Sequence, residues 1–260
     1  MTDRRMEKEV VYEATPDQVW QAIATGPGIS AWFVPHQVEQ REGGRIQGNF
    51  GPGYAVEGKV TAWEPGRRFA YGAFDAPDDA EHPDYSFEFL IQGRDDGTTV
   101  LRFVQTGFLD GEGWDAEYDA LDKGWDLFFY NLGEYLTHFA GRPVTNVVTM
   151  GFTPLNKAAA WSKIRDALGI DVMPAVGEEV RLTPEGFAPI IGVVDVVTDE
   201  FLGVRTSDAL YRFGAEGEDG CGVSAYHYFY GNDTATAAQQ NAWHAWLTAL
   251  FPMPEPAPAT

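Results

Sequence analysis

Cysteine and long apolar runs are scarce in this chain of 260 residues, and each shortage excludes a class of protein. Cys221 is the only cysteine, so no disulfide can form within the chain and nothing indicates an oxidising compartment. No stretch of about 18 apolar residues occurs, and the first residues lack the apolar core of a signal peptide. We therefore expect a cytoplasmic protein that does not insert into membranes.

Basic residues are also scarce, with 18 against 39 acidic residues and a formal net charge of −21. A field of this sign repels phosphates, so we expect no nucleic-acid partner. The five histidines lack ligand-like spacing to a second histidine or to the cysteine, so no metal site is predicted. The motifs of serine hydrolases, zinc proteases and phosphate-binding loops are absent, and we expect no cofactor.

Aromatic residues, by contrast, make up 14% of the chain, and several lie in a segment near its start. Thr15, Pro16 and Gln18 have the pattern of a helix start, in which the threonine caps the helix and the glutamine completes a capping box. The Gly-Pro-Gly break that follows is expected to end this helix. A short second turn then carries Trp32 and Phe33.

The segment between Gly43 and Phe108 consists of short runs with period-two alternation, separated by turn residues. The runs predict strands at 45–50, 55–63, 68–74, 84–92 and 98–106, after an earlier strand at 7–12. In the run at 84–92 the apolar residues share one face and most polar residues share the other. This pattern predicts an antiparallel meander with one buried face.

An acidic stretch at 110–126 follows these strands. We interpret it as a solvated loop that covers a cavity mouth, and cation binding by its carboxylates is the alternative. Beyond it, apolar residues recur every three or four positions until Phe139, and Gly141 and Pro143 end the pattern. The spacing predicts a long amphipathic helix that packs its apolar side across the sheet.

Residues 144–251 repeat this order of strand, helix, sheet and long helix in a more divergent form. Two tandem α+β domains are therefore predicted, at 1–143 and 144–251, with a disordered, proline-rich tail at 252–260. The Thr-Pro pair at 153–154 is expected to open the first helix of the second domain. His227 would be a polar group in an aromatic pocket if its face of the last strand points inward.

Several motifs of the first domain resemble the SRPBCC superfamily, in its branch similar to the activator of the heat-shock-protein-90 ATPase homologue. The matching motifs are A-T-P-D-Q-V-W-Q-A-I followed by Trp-Phe within 11–33, Glu-Gly-Gly-Arg at 42–45, Glu-Pro-Gly-Arg-Arg-Phe at 64–69, Gly-Thr-Thr-Val at 97–100 and Gly-Phe at 107–108. The second domain has no clear counterparts of the Trp-Phe and Gly-Gly-Arg elements, so its assignment depends on the repeated order of elements.

The resemblance implies two tandem helix-grip, or START-like, domains, in which a curved antiparallel sheet wraps around a long C-terminal helix. Members of the superfamily enclose a hydrophobic cavity and bind apolar molecules, and a minority are cyclases or hydrolases. Our leading hypothesis is a non-enzymatic carrier or sensor of a small apolar molecule. The alternatives are a cyclase or hydrolase that acts in the same cavity, and a module that binds a chaperone or another protein partner.

If this hypothesis is correct, aromatic residues of the first domain line the cavity, although ordinary core packing is the alternative for each of them. The candidates are Trp32, Phe33, Tyr54, Trp63, Tyr71, Tyr85, Phe87, Phe103, Trp125 and Phe129. Trp32 and Phe33 are favoured for contact with a ligand, whereas Trp20 is assigned to the core. Tyr54, Tyr85, Glu88 and Arg102 could orient a ligand or could be exposed strand residues. No catalytic or metal-binding residue is assigned.

Overall fold

The computed structural model describes residues 4–51, 54–72, 85–108, 112–231 and 237–252. The chain divides into two compact units, Met1–Val144 and Thr145–Thr260. Each unit contains one antiparallel sheet and a C-terminal helix. The predicted fold class, α+β with two tandem helix-grip domains, is confirmed.

The sheet of the first unit is built from seven strands, which largely follow the predicted runs. The strands are β1 (Met6–Tyr12), β2 (His36–Val38), β3 (Arg45–Asn49), β4 (Ala55–Glu64), β5 (Arg68–Gly72), β6 (Ser86–Gly93) and β7 (Thr99–Thr106). They are ordered β1-β7-β6-β5-β4-β3-β2, and neighbouring strands are antiparallel. Strand β2 was not predicted, because three residues are too few to show a period of two. Positions 73, 74 and 84 of the predicted runs lie outside the described residues.

One row of aromatic residues crosses four neighbouring strands of this sheet. Trp63 of β4 is the register partner of Phe69, Phe69 pairs with Phe89 of β6, and Phe89 pairs with Phe103 of β7. Phe69, Phe89 and Phe103 are each at most 2% exposed. Because alternate residues of a strand share a face, this row defines the inner face of the sheet.

Two short helices follow β1. Helix α1 (Pro16–Ala24) begins as predicted, since the Thr15 side chain accepts from the Gln18 amide and the Gln18 side chain accepts from the Thr15 amide. The Gly-Pro-Gly segment, expected only to end α1, forms the first turn of α2 (Gly26–Ser30). Thr25 caps α2 through a 3.0 Å bond from the Gly28 amide, and the proline in the first turn has no amide that needs a partner.

The acidic stretch is helical, so the prediction of a loop at 110–126 was wrong for its described residues. Helix α3 runs over Glu112–Glu134 and continues as a π-helical turn at Tyr135–Phe139. Acidic residues are favourable near a helix N-terminus because they interact with the helix dipole. In addition, Lys8 of β1 pairs with Asp122 at 2.7 Å and Asp126 at 2.5 Å. The predicted long helix is therefore present, but it begins earlier than the apolar pattern indicated.

The sheet of the second unit has six strands, and two helices accompany it. The elements are β8 (Val144–Asn156), α4 (Lys157–Leu168), β9 (Glu179–Leu182), β10 (Ile190–Val197), β11 (Phe201–Arg205), β12 (Ala209–Glu216), β13 (Asp219–Tyr230) and α5 (Ala237–Leu250). The strand order is β8-β13-β12-β11-β10-β9. The proline-rich tail lies, from residue 253 onwards, outside the described residues.

The first helix of the second unit does not start at the predicted Thr-Pro pair. Residues 153–154 belong to β8, and α4 begins at Lys157 with Asn156 as its cap, whose side chain accepts from the Ala159 amide at 2.9 Å. Strand β8 lies at the edge of its sheet, where the missing amide of a proline is tolerated. The Thr-Pro pattern therefore starts a helix in the first unit only.

No helix in the described part of the chain combines the length and the apolar character that crossing a bilayer requires.

Candidate functional site

Helix α3 brings its aromatic side chains onto the inner face of the first sheet. The Trp125 ring lies 4.4 Å from Phe103 and 5.4 Å from Phe129, measured between ring centroids, and Phe103 lies 5.1 Å from Phe129. The segment after α2 adds Trp32, which stacks on Phe129 at 6.0 Å, and Phe33, which lies 5.1 Å from Trp125. Five of the predicted residues thus form one ring cluster between strand, helix and loop.

Tyr71 and Phe87 extend this cluster along the sheet. Their rings lie 4.9 Å apart, and Phe87 also lies 5.9 Å from Trp125. Tyr71 is only 5% exposed, and burial alone raises the pKa of its phenol well above the usual value. The hydroxyl is thus a neutral polar group among aromatic rings.

Trp63 lies in a different part of the core from the other predicted residues. Its ring contacts Trp20 at 5.0 Å and Phe69 at 5.7 Å. Trp20 is 6% exposed, in agreement with its assignment to the core. Trp63 is therefore connected to the ring cluster through the aromatic row of the sheet.

Tyr54 lies at the surface end of the cluster, and Tyr85 immediately precedes β6. Tyr54 is 60% exposed, and its ring reaches Phe50 at 5.8 Å, which in turn lies 5.7 Å from Phe33. The Tyr85 hydroxyl donates to Glu117 of α3 at 2.5 Å. Burial and this bond together raise the pKa of Tyr85. Tyr85 therefore ties the sheet to α3.

Glu88 and Arg102, the other polar candidates, point away from α3. Arg102 pairs with Glu7 at 2.9 Å and Glu88 pairs with Arg68 at 2.7 Å, all on the face opposite to the aromatic row. They are therefore the exposed strand residues of the alternative interpretation, and they do not face the ring cluster.

Gln105 is an inner-facing polar residue that the sequence analysis did not single out. It is 1% exposed, and its side-chain oxygen accepts from the Trp125 indole at 2.7 Å. A signal for it exists, because Gln105 follows Phe103 by two positions on the same strand and must share its face.

His36 is a second polar residue that the sequence analysis missed. Its ring stacks on Phe33 at a centroid distance of 5.4 Å, and burial lowers its pKa to about 4. The sequence carries no signal for this position, because β2 is too short to show which face His36 occupies.

Three carboxylates of α3 are engaged in ion pairs rather than gathered around an ion site. Arg4 reaches Asp115 at 2.5 Å, and Lys8 holds two further aspartates of the helix. Among the residues that the structure describes, no group of three or more histidine, cysteine or acidic side chains is placed to hold a metal ion.

The interior of the second unit contains His227, whose face of β13 points inward. The residue is fully buried, and its ring lies 4.3 Å from Trp243, 5.0 Å from Tyr211 and 5.1 Å from Phe213. Its Nδ1 accepts from the Arg212 amide at 3.3 Å, whereas Nε2 has no hydrogen-bond partner among the described residues. Burial lowers the pKa of His227 to about 3.

A family model described as Activator of Hsp90 ATPase homolog 1-like protein matches residues 13–137. The match extends from just before α1 into the π-helical turn, so it includes every element that contributes a ring to the cluster. No curated protein matches the chain.

Three solved structures illustrate what the chain is similar to. Protein MLL2253 from Mesorhizobium loti is 24% identical over 52% of this chain and 97% of its own, with a TM-score of 0.46. DynU16, from the dynemicin biosynthetic locus, is 18% identical over 96% of both chains, with a TM-score of 0.46. BexL, a di-domain ARO/CYC from the BE-7585A biosynthetic pathway, is 14% identical over 95% of this chain and 93% of its own, with a TM-score of 0.45.

Proposed function

Because the family model described as Activator of Hsp90 ATPase homolog 1-like protein matches residues 13–137, we propose that the first unit binds a small apolar molecule between α3 and its sheet. The observation that carries the proposal is the presence of buried polar groups among the rings. Gln105 and the Tyr71 hydroxyl both lie on the inner face. Burying a polar group costs free energy unless a hydrogen bond compensates for it, as the bond from the Trp125 indole does for the Gln105 oxygen. A few polar groups among apolar walls are typical of ligand sites.

The predicted residues take different parts in this proposal. Seven of them surround the proposed ligand position, namely Trp32, Phe33, Tyr71, Phe87, Phe103, Trp125 and Phe129. Tyr54 and Tyr85 form the rim of this position. Trp63 does not line it, but packs against the aromatic row of the sheet. The net charge of −21 favours a neutral ligand over an anion. We further infer a carrier or sensor role in the cytoplasm.

Native mass spectrometry of the purified protein, followed by solvent extraction, tests the proposal directly. We expect a bound apolar compound, or else uptake of one equivalent of the neutral fluorescent probe N-phenyl-1-naphthylamine. Conversion of the compound on the protein would instead favour the cyclase or hydrolase hypothesis. A chain that carries nothing and takes up no probe would refute the proposal.

A matched pair of substitutions locates the binding. Phe33→Leu removes the ring contacts to Trp125 and Trp32, and we expect it to weaken probe binding by about fivefold, the value of one aromatic contact. Phe213→Leu makes the same change in the core of the second unit and should leave the affinity unchanged. Equal effects of both substitutions would contradict a site in the first unit.

A further inference from the structure

The structure holds the His36 ring at one end of the ring cluster. His36 of β2 is the register partner of Gly48 in β3, so the imidazole lies over a residue without a side chain. A Cβ atom at position 48 would lie 2.9 Å from Nε2 and 3.0 Å from Cε1. The ring also stacks on Phe33. These contacts leave the imidazole little freedom to turn.

The hydrogen bond at Nδ1 determines which ring nitrogen is protonated. Nδ1 lies 2.8 Å from the Val34 carbonyl oxygen. A carbonyl oxygen can only accept, so Nδ1 carries the proton and Nε2 of the neutral ring keeps its lone pair. Among the described residues no hydrogen bond reaches Nε2. The lowered pKa of about 4 keeps the ring neutral near pH 7.

The position of the ring connects this lone pair to the ring cluster. Phe33, on which His36 stacks, also contacts Trp125 at 5.1 Å and Phe128 at 4.5 Å. Through Phe50 the same end of the cluster extends to the exposed Tyr54. Phe33 therefore connects the imidazole to the rings around the proposed ligand position.

We propose that Nε2 of His36 accepts a hydrogen bond from the ligand, and that the ligand is an apolar ring compound with a neutral hydroxyl group. This inference rests on the proposed function of the same site. A charged donor would lose its hydration among these rings, whereas a hydroxyl needs only one acceptor. His36 is thus a residue that determines specificity, in addition to the aromatic walls.

The experiment compares two probes of the same ring and similar size, 2-naphthol and 2-methylnaphthalene. Their dissociation constants are measured by titration for the wild type, His36→Asn, His36→Gln and His138→Gln. The readout is the ratio of the two constants, because the probes also differ in their solubility in water. Comparing this ratio between variants cancels that difference.

The two substitutions at position 36 distinguish the role of Nδ1 from the role of Nε2. The asparagine amide can keep the bond to Val34 but has no atom at the position of Nε2. We expect it to reduce the preference for 2-naphthol by about tenfold, the value of one buried hydrogen bond. Glutamine reaches further and should retain part of the preference. His138, half-exposed on the π-helical turn, serves as the control, and its substitution should leave the ratio unchanged.

The possible outcomes distinguish this inference from the proposed function. If both probes bind and His36→Asn keeps the wild-type ratio, the inference is overturned and the proposed function stands. If neither probe binds the wild type although the protein carries a compound or takes up N-phenyl-1-naphthylamine, the inference alone is refuted; if that probe does not bind either and no compound is carried, both are refuted. If His36→Asn fails to fold, the same ratio is measured for Gly48→Ala, because its added methyl group must displace Nε2. A wild-type ratio in that variant would likewise overturn the inference.

Discussion

The inner faces of the two sheets carry different side chains, although the order of elements is similar. In the first unit the strands supply a row of aromatic residues, and α3 adds further rings. In the second unit β12 and β13 supply small residues such as Ala215 and Ala225 beside the rings of Phe213 and Phe229, and α5 contributes Trp243, which stacks on Phe187 at 3.9 Å. A shared fold thus leaves the chemistry of the interior open. Rings in the first unit lie near Gln105 and the Tyr71 hydroxyl, whereas rings in the second unit surround His227.

Among the described residues, each interior also contains an inward-facing histidine, and the two have different hydrogen-bond partners. His36 donates through Nδ1 to a carbonyl and keeps the lone pair of Nε2. Nδ1 of His227 instead lies 3.3 Å from the Arg212 amide, which donates to it, and the ring lies beside Trp243. The two histidines therefore face different backbone groups, a carbonyl oxygen at His36 and an amide at His227.

The largest expected difference between the units is the loss of stability when a cross-strand ion pair is broken. In the second unit, Arg212 makes two bonds to Asp195, at 2.8 and 3.0 Å, and both side chains are buried. Asp195→Asn removes the charge that balances the buried guanidinium, and we expect it to lower the free energy of unfolding by about 3 to 5 kcal/mol. Urea unfolding measures this loss.

The exposed pair between Arg102 and Glu7 in the first unit provides the control for this substitution. Glu7→Gln should have little effect, because water and salt screen exposed charges. If both substitutions destabilised the protein equally, the contrast between a buried and an exposed pair would be wrong.

Acid is expected to destabilise the second unit through His227. Its pKa of about 3 in the folded protein lies below the value of about 6.5 in an unfolded chain, so only the unfolded state takes up a proton as the pH falls. The stability due to the neutral ring is therefore complete above about pH 6.5 and is lost progressively towards pH 3. Between pH 7 and pH 4 the loss is about 3 kcal/mol, and His227→Phe should abolish this part of the pH dependence.

Substitution of His36 tests whether the first unit is also sensitive to acid. His36 has a folded-state pKa of about 4, so His36→Asn should remove a somewhat smaller part of the acid sensitivity. Urea unfolding at several pH values measures both changes. A variant of His227 with the same pH dependence as the wild type would show that the ring is not kept neutral by burial.

The smallest expected effects concern the helix caps. Asn156→Ala and Thr15→Ala should each lower the free energy of unfolding by about 1 kcal/mol, because each removes the acceptor for an amide in the first helical turn. Pro154→Ala should cost less than Asn156→Ala, since Pro154 lies in β8 and is exposed. The reverse order in thermal unfolding would indicate that the helix starts at the Thr-Pro pair after all.

The sequence by itself determined most of the local elements and the family resemblance of the first unit. The capping box at Thr15, the strand runs and the long apolar pattern up to Phe139 were recognisable because caps, turns and alternation depend on neighbouring residues. The errors occurred where two local signals competed. The density of acidic residues concealed the start of α3, and the Thr-Pro pattern was mistaken for a helix start at 153–154.

Only the tertiary structure decided which side chains meet. Register between strands that are distant in sequence aligned Trp63, Phe69, Phe89 and Phe103 in one row, and the packing of α3 placed Trp125 beside Gln105. A three-residue strand placed His36 over Gly48 and next to Phe33. These contacts result from pairing and packing over long sequence separations, which the periodicity of a single segment does not contain.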